Sequence, residues 1–294
     1  MRVTQSMLSN SFLNNLNSSY EKFGKLQDQL TSQKKINRPS DDPVVAMSGI
    51  AYRTDLQQVE QYKRNFSEAY NWTDNSDSAL DQATQALQRI RELTLEASNG
   101  TQGPDEREAA AKEIAELRDH LAKIGNTKVG NKYIFNGTDT LNKPIGDVTK
   151  TPPEVSTNHK DVNIELSQGI NIKVNVDGSK VFSQDLFSQI NSLIDKLNSG
   201  VDNVKYDDDL TNLDKNLNTI LGERSSLGAR SNRIELMESR IDQQQISATK
   251  MVSDNEDVDM DKVITDFTTQ QSVFRAALGA GAQIIQPTLL DFLR

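Results

Sequence analysis

Cysteine is missing from the 294 residues of this sequence. Without it, the chain can form no disulfide framework, no thiolate nucleophile and no cysteine-ligated metal site. The absence does not indicate a cytosolic location, because a chain that travels unfolded to its destination also does well without reactive thiols.

Apolar side chains are scarce as well. Hydrophobic residues make up 35% of the chain and aromatic residues 5%, which is low for a compact globular protein. This composition favours elongated helices, whose polar faces are large relative to their apolar seams. The sequence has no run of eighteen apolar residues and no basic run at its N-terminus. We therefore expect neither a membrane span nor a secretory signal peptide.

Positive charge is in deficit, and the formal net charge is −9. Because phosphate recognition needs a basic surface, the composition argues against a nucleic-acid partner. The densest acidic run, Asp254 to Asp261, lacks the spacing and the central glycine of a calcium loop. We interpret it as a solvated helix boundary. An alternative is that it meets Lys34, Lys35 or Arg38 on a neighbouring segment or subunit.

Few residues could carry catalysis. His120 is predicted on a helix and His159 in a polar loop, and neither has a third ligand or a nucleophile at a readable spacing. The segment Gly125 to Lys132 resembles a phosphate loop, but Asn131 follows its second glycine and a helix precedes it. We therefore predict no enzyme activity, no cofactor and no metal site.

The last eighty residues carry the longest heptad pattern. Seam positions recur at alternating steps of three and four from Ile234 to Val258, with Gln244 and Met251 among them, and resume from Met260 to Leu278. No proline lies between Pro153 and Pro287, so a long helix is permitted. A stripe this narrow is typical of a coiled-coil seam and needs a partner.

The opposite chain end offers such a partner, because residues 1–35 read as one amphipathic helix. Serine and asparagine cluster in its first half and weaken its helix propensity, so we expect it to fold fully only against a partner. We predict that both chain ends form an assembly interface. Its residues are Leu13, Leu16, Tyr20, Phe23, Leu30, Met260, Ile264, Phe267, Phe274 and Leu278.

Between the ends, helices are predicted over 44–98 and 105–127, and a β-hairpin over 162–176 with its turn at Gln168-Gly169. The predicted fold class is mainly α, a long-helix coiled-coil bundle of N- and C-terminal segments with a small β-rich domain inserted in the middle. The predicted domains are terminal coiled-coil segments at 1–42 and 255–294, a helical rod domain at 43–131 and 207–254, and an inserted β-rich domain at 132–206.

Two motifs resemble those of the bacterial flagellin superfamily. Ser32 to Pro43 is similar to the motif that closes the flagellin N-terminal helix, and Leu227 to Glu235 to the flagellin C-terminal motif. The pair in this order is specific. The positions that carry it are Ile36, Asn37, Ser40, Asp41, Asp42, Gly228, Ala229, Asn232 and Arg233. The sequence departs at Gln33, where flagellins usually have glycine, and at Pro39, where they have a small residue.

The segments Lys132 to Thr138 and Leu289 to Arg294 resemble the family members that join hook and filament. This resemblance implies terminal helices that line an inner tube, and export of the unfolded chain through a central channel to the extracellular flagellum. The implied partners are other copies of the chain, hook-associated protein 1 on the hook side, flagellin on the filament side and an export chaperone.

Alternatives to a junction adaptor are a filament-forming flagellin and a secreted coiled-coil adaptor with no flagellar role. An enzyme is a third alternative, for which the sequence offers no catalytic constellation.

Overall fold

The computed structural model describes residues 5–98, 103–199 and 205–284. The helices are α1 (Gln5–Ser32), α2 (Pro43–Ser98), α3 (Pro104–Gly125), α4 (Gly178–Val181), α5 (Gln184–Asn198), α6 (Asp207–Glu256) and α7 (Met260–Ile284). The strands are β1 (Lys128–Val129), β2 (Lys132–Tyr133), β3 (Asn163–Ser167) and β4 (Ile170–Lys173). Long helices toward both chain ends and a small β-rich region in the middle confirm the predicted fold class. The segment from Leu289 to Arg294, used above for the resemblance, lies outside the described residues.

The chain divides into two compact units. Unit 1 consists of Met1–Gln58 and Gln244–Arg294, and unit 2 of Val59–Gln243. The division of the chain into terminal, rod and inserted domains stays a prediction.

In unit 1, α1 and α7 pack against each other in an antiparallel pair. Helix α1 ends at Ser32, and Gln33 adopts a left-handed backbone conformation with φ 59°. Its amide donates to the carbonyl of Gln29 at 2.9 Å, which closes the last helical turn. The left-handed conformation that follows α1 therefore occurs at a residue with a side chain, where glycine would be the usual choice.

In unit 2, the apolar faces of the long helices form one core. Leu80, Leu87 and Ile90 of α2 are completely buried, as are Ile114 of α3 and Ile220 of α6. These residues recur at helical spacing, so each helix presents one apolar stripe to the others. Polar contacts join the same helices at their edges.

Two of those polar contacts involve α2 and α6. The guanidinium of Arg224 binds the carboxylates of Asp77 at 2.8 Å and of Asp81 at 2.6 Å. The phenol of Tyr70 donates to Glu238 at 2.8 Å. Burial and the neighbouring carboxylate raise the pKa of Tyr70.

The middle of the chain contains two short antiparallel hairpins. Strands β1 and β2 pair Lys128 with Tyr133, and β3 and β4 pair Ile164 with Ile172. The predicted turn at Gln168-Gly169 joins β3 to β4, and Gly169 has φ +72°, which glycine adopts without strain. Strand β4 ends at Lys173, so the predicted extension to residue 176 is wrong.

The heptad pattern of α6 is correct at every seventh residue and is off by one residue at two of the positions in between. Ile234, Ile241 and Ala248 are buried as predicted, but Gln244 and Met251 are exposed. Their neighbours Gln245 and Val252 are the half-buried residues instead. Because Ile234, Ile241 and Ala248 keep a seven-residue spacing, the buried stripe follows the heptad. The half-buried position between two of them lies four residues after the first, not three.

Candidate assembly interface

Aromatic rings form the centre of the contact between α1 and α7. Phe23 stacks on Phe267 with ring centroids 4.8 Å apart, and its centroid lies 6.2 Å from that of Phe274. Tyr20 adds a tilted contact to Phe274 at 5.8 Å. These contacts lie on the heptad positions that the sequence predicts, so the two chain ends use part of the predicted interface on each other.

The remaining contacts follow the same antiparallel register. The amide of Gln270 donates to the hydroxyl of Ser19 at 2.7 Å. Gly281 is buried against the ring of Phe12, and an added Cβ would lie 2.5 Å from that ring. The sequence analysis did not identify Ser19, Gln270 or Gly281 as contact residues, because a pattern of apolar residues does not include small or polar ones.

The predicted interface residues divide into two groups. Half-buried in unit 1 are Leu16, Phe23, Leu30, Met260, Phe267 and Phe274. Exposed are Leu13 at 43%, Tyr20 at 64%, Ile264 at 48% and Leu278 at 47%. The helix pair therefore covers one part of the apolar surface and leaves the other part in solvent.

Where α1 ends and α7 begins, an antiparallel bridge connects two short segments, Gln33–Lys35 and Glu256–Val258. We call these two segments the clasp. The amide of Lys35 donates to the carbonyl of Glu256 at 2.7 Å, and the amide of Val258 donates to the carbonyl of Gln33 at 3.1 Å. The clasp thus joins the break between α1 and α2 to the break between α6 and α7.

Glu256 is the buried centre of the clasp, with a side chain that is 8% exposed. Arg53 binds its two oxygens, each at 2.6 Å, and the ammonium of Lys34 lies 3.4 Å away. The Arg53 guanidinium, assisted by Lys34, holds the pKa of Glu256 below its usual range. Gly49 permits this approach, since a Cβ there would meet the Glu256 carboxylate at 3.0 Å.

The alternative interpretation of the acidic run is partly confirmed within the chain. Lys34 forms an ion pair with Asp257 at 2.6 Å, and the Lys35 ammonium donates to the carbonyl of Asp254. The ion pair with Lys34 lowers the pKa of Asp257, and Ser253 contributes a further hydrogen bond. Arg38 makes no ion pair among the described residues, so that part of the hypothesis is not realised in this chain.

The first flagellin-like motif forms the turn from α1 into α2. Asp42 accepts hydrogen bonds from the amides of Val44 at 3.0 Å and Val45 at 3.1 Å, and so caps α2. Asp41 accepts from the amide of Arg38 at 3.1 Å and lies 3.3 Å from the Lys25 ammonium. The backbone donor first, then Lys25, lowers the pKa of Asp41.

The other positions of this motif differ in burial. Ile36 is half-buried, and Asn37 and Ser40 are exposed.

The second motif lies in the middle of α6, in unit 2. Gly228, Ala229, Asn232 and Arg233 are all exposed, and no side chain would obstruct a Cβ at Gly228. Arg230, within the same motif, points inward instead and donates to the carbonyl of Asn175 at 2.8 Å. Sequence reasoning missed Arg230, because its spacing gives no sign that a cation will meet backbone carbonyls.

The residues considered for catalysis lie apart from one another. His120 is exposed on α3, and His159 is exposed in a loop, where its ring contacts the carbonyl of Thr157 at 3.1 Å. Gly125 to Lys132 forms the end of α3 and the β1–β2 turn. Within residues 5–98, 103–199 and 205–284, no group of histidine and acidic residues could hold a metal ion. No helix in these ranges is both long and apolar enough to cross a bilayer.

Comparison with protein families gives two matches. Residues 3–140 match the bacterial flagellin N-terminal helical region, and residues 210–293 match the bacterial flagellin C-terminal helical region. Together these ranges take in well over half of the chain. The chain belongs to the bacterial flagellin family and is therefore a flagellin-like structural protein.

Within that family the chain is similar to flagellar hook-associated protein 3. It is 29% identical to that protein of Escherichia coli K12, over 95% of this chain and 96% of the relative. It is also 25% identical to a flagellin of Bacillus subtilis 168, over the full length of both.

Solved structures share the fold. A flagellar hook-associated protein from Vibrio parahaemolyticus has a TM-score of 0.68 at 19% identity, over 74% of this chain and all of that one. The flagellar junction protein from Legionella pneumophila has a TM-score of 0.59 at 16% identity, over 71% of this chain and all of that one.

Proposed function

We propose that this chain is a structural subunit of the bacterial flagellum that acts as an adaptor at the hook–filament junction. The observation that carries the proposal is the incomplete burial of the α1–α7 pair. Phe23 and Phe267 pack on each other within the chain, while Leu13, Ile264 and Leu278 remain exposed, as does most of Tyr20 beyond its contact with Phe274. We call these four exposed residues the outer ridge.

The outer ridge would bind neighbouring copies. A tube is built from contacts that do not close on themselves, so each chain offers one surface and accepts a different one. A pair of helices with apolar residues on two faces suits this arrangement, because one face holds the pair together and the other meets the next subunit. In the assembled state, 1–42 and 255–294 would line an inner tube, 43–131 and 207–254 would form a rod, and 132–206 would project outward.

The partners that follow from this role are other copies of the chain, hook-associated protein 1 on the hook side and flagellin on the filament side. An export chaperone would accompany the chain to the extracellular junction. The role is mechanical, so it requires no catalytic group, cofactor, nucleic acid or membrane.

A filament-forming flagellin is the second candidate, because the Bacillus subtilis flagellin matches the chain from end to end. The two candidates differ in what the purified protein does. A filament protein polymerises in bulk, whereas a junction adaptor adds a short assembly at the tip of the hook.

The test is electron microscopy of a strain that lacks this chain. Hooks are expected to be present and filaments to be shed into the medium, and a plasmid copy should restore attachment. Loss of hooks, or attached filaments in the deletion strain, would contradict the junction role. A copy that lacks residues 260–294 should leave the middle of the protein folded and monomeric but fail to restore filaments.

Point variants locate the surface. The double variant Ile264→Gln and Leu278→Gln removes apolar side chains from the outer ridge without changing charge. It is expected to abolish filament attachment while the purified protein keeps its helix content. Leu141→Gln is the matched control, since Leu141 is 73% exposed in the loop before β3. Equal loss of attachment in both variants would show that the outer ridge is not the assembly surface.

A further inference from the structure

We propose that Glu256 fixes the register of α1 against α7, and this inference rests on the assembly role proposed for that helix pair. Glu256 is buried in the clasp, where Arg53 and Lys34 contact it from two different segments. It is a positioning residue, because its side chain pairs with Arg53 and Lys34 and not with the residues of the outer ridge. Its effect would be to align the ridge residues of the two helices for the next subunit.

The aromatic seam does not determine the register by itself. Phe23 contacts both Phe267 and Phe274, which are separated by one heptad. If α7 slipped by seven residues, or about 10 Å at 1.5 Å per residue, Phe23 would still meet a phenylalanine. Heptad seams are repetitive in this way, and coiled coils commonly use one polar or charged position to select a register.

The clasp supplies a contact that does not repeat. Gln33–Lys35 is continuous with α1, and Glu256–Val258 leads directly into α7. A slip between the helices would therefore withdraw Glu256 from Lys34 and shift it relative to Arg53. A buried carboxylate without its cations is strongly disfavoured, so the displaced register is penalised.

Two other contacts favour the same register, but losing them in a slipped register would cost less free energy. Ser19 and Gln270 are half-buried neutral groups, and after a slip water could satisfy both. Gly281 admits the ring of Phe12 at the outer end of the pair. Water could not replace Arg53 and Lys34 in the same way, because the Glu256 carboxylate is buried. A buried ion pair is weak evidence for stability, and in some proteins a buried polar or ionic group serves to specify one arrangement.

The absence of cysteine allows a direct test in the full-length chain. Ser19→Cys paired with Gln270→Cys reports the observed register, and Ser19→Cys paired with Ala277→Cys reports a slip of one heptad. Both pairs are treated at one pH with a short thiol-specific cross-linker, and the yields are compared. The cysteine at 19 removes the hydroxyl that accepts from Gln270, and Gln270→Cys also removes the donor to the backbone carbonyl of Ser19. In that pair the clasp is therefore the main polar contact left to select the register.

Three substitutions are introduced into both cysteine pairs. Glu256→Gln removes the charge but keeps the shape, and Glu256→Asp keeps the charge. Asp55→Asn is the matched control, because Asp55 is exposed on α2 and forms no ion pair among the described residues. With Glu256→Gln, we expect the ratio of the 19–270 yield to the 19–277 yield to fall about tenfold, the change that corresponds to about 1.4 kcal/mol. Glu256→Asp should recover most of the ratio, and Asp55→Asn should leave it unchanged.

An unchanged ratio with Glu256→Gln would overturn the proposal. Equal loss of both cross-links would overturn it too, since that result would mean that Glu256 only stabilises the helix pair. The readout uses isolated protein and does not require filament attachment. If the ratio shifts as expected but the deletion strain keeps its filaments, the junction role fails while the register role stands.

Discussion

The ring of Phe23 stacks on the ring of Phe267 at a centroid distance of 4.8 Å, across a sequence separation that spans most of the chain. This contact joins α1 to α7 within one chain. Aromatic pairs of this kind contribute beyond the apolar area that they bury. Helices α1 and α7 therefore present one joint surface within a single chain.

The Phe23 contact leads to the first prediction, for Phe23→Ala. Removal of a fully buried phenylalanine costs about 3–5 kcal/mol, and Phe23 is only half-buried, so we expect about 2 kcal/mol. Hydrogen exchange should show faster exchange in α1 and α7 and unchanged protection in unit 2. Tyr20→Ala is the control, because Tyr20 is 64% exposed and its loss should change exchange far less. Faster exchange in unit 2 as well would mean that the helix pair is not an independent element.

The second prediction concerns the break after α1, where Gln33 has φ 59°. This conformation costs a side-chain-bearing residue about 1–2 kcal/mol, while glycine loses about 0.4–1 kcal/mol through the entropy of the unfolded chain. Gln33→Gly should therefore slow exchange in the clasp and stabilise it by roughly 0.5–1 kcal/mol. Gln27→Gly, the same substitution inside α1, should destabilise the helix by about 0.5–1 kcal/mol. If both variants move stability in the same direction, the left-handed conformation at Gln33 is not what limits the turn.

The third prediction tests the close approach at Gly178 in unit 2. A Cβ at this position would lie 2.0 Å from the backbone carbonyl oxygen of Phe135, and backbone cannot move aside as a flexible side chain can. Gly178→Ala is expected to lower the free energy of unfolding of unit 2 by about 1–3 kcal/mol or more. The measurement is urea denaturation, in which the midpoint should shift to a lower urea concentration. Gly222→Ala on α6 is the comparison, since nothing lies within 4 Å of its added methyl group. That variant should be neutral or more stable by up to about 1 kcal/mol.

The fourth prediction is a pH dependence of unit 1. The pKa values of Glu256 and Asp257 are lowered, mainly by Arg53 and by Lys34 respectively. Groups with a lowered pKa stabilise the folded state fully above their unfolded values, 4.5 for Glu256 and 3.8 for Asp257, and lose that contribution as the pH falls toward the folded values. Protection of α7 amides, corrected for intrinsic exchange, should therefore decrease below about pH 4.5.

Glu256→Gln should make that decrease in protection smaller, because a glutamine side chain does not take up a proton in this pH range. At pH 7 the variant should be less protected than the original chain, and the difference should narrow as the pH falls. Asp55→Asn provides the charge-matched comparison and should follow the original curve. Parallel curves for the original chain and Glu256→Gln would show that Glu256 does not link folding to pH.

The sequence was informative wherever one local pattern fixes the geometry. Alternation of apolar residues with a glycine turn located the β3–β4 hairpin, and the Asp42-Pro43 pair located the start of α2. It was less informative where two neighbouring residues both fit a heptad step, as in the second half of α6. There, the half-buried residues are Gln245 and Val252 and not the predicted Gln244 and Met251.

The sequence alone determined that this chain is made of long helices with a β-rich insert and that its ends carry matching apolar stripes. The spacing of apolar residues, prolines and glycines is local information, and it suffices for those conclusions. Only the tertiary structure decided which stripe residues are covered within the chain, and that Glu256 lies between Arg53 and Lys34. Contacts between residues some two hundred positions apart leave no periodic trace in a sequence, because each depends on how all the intervening elements fold.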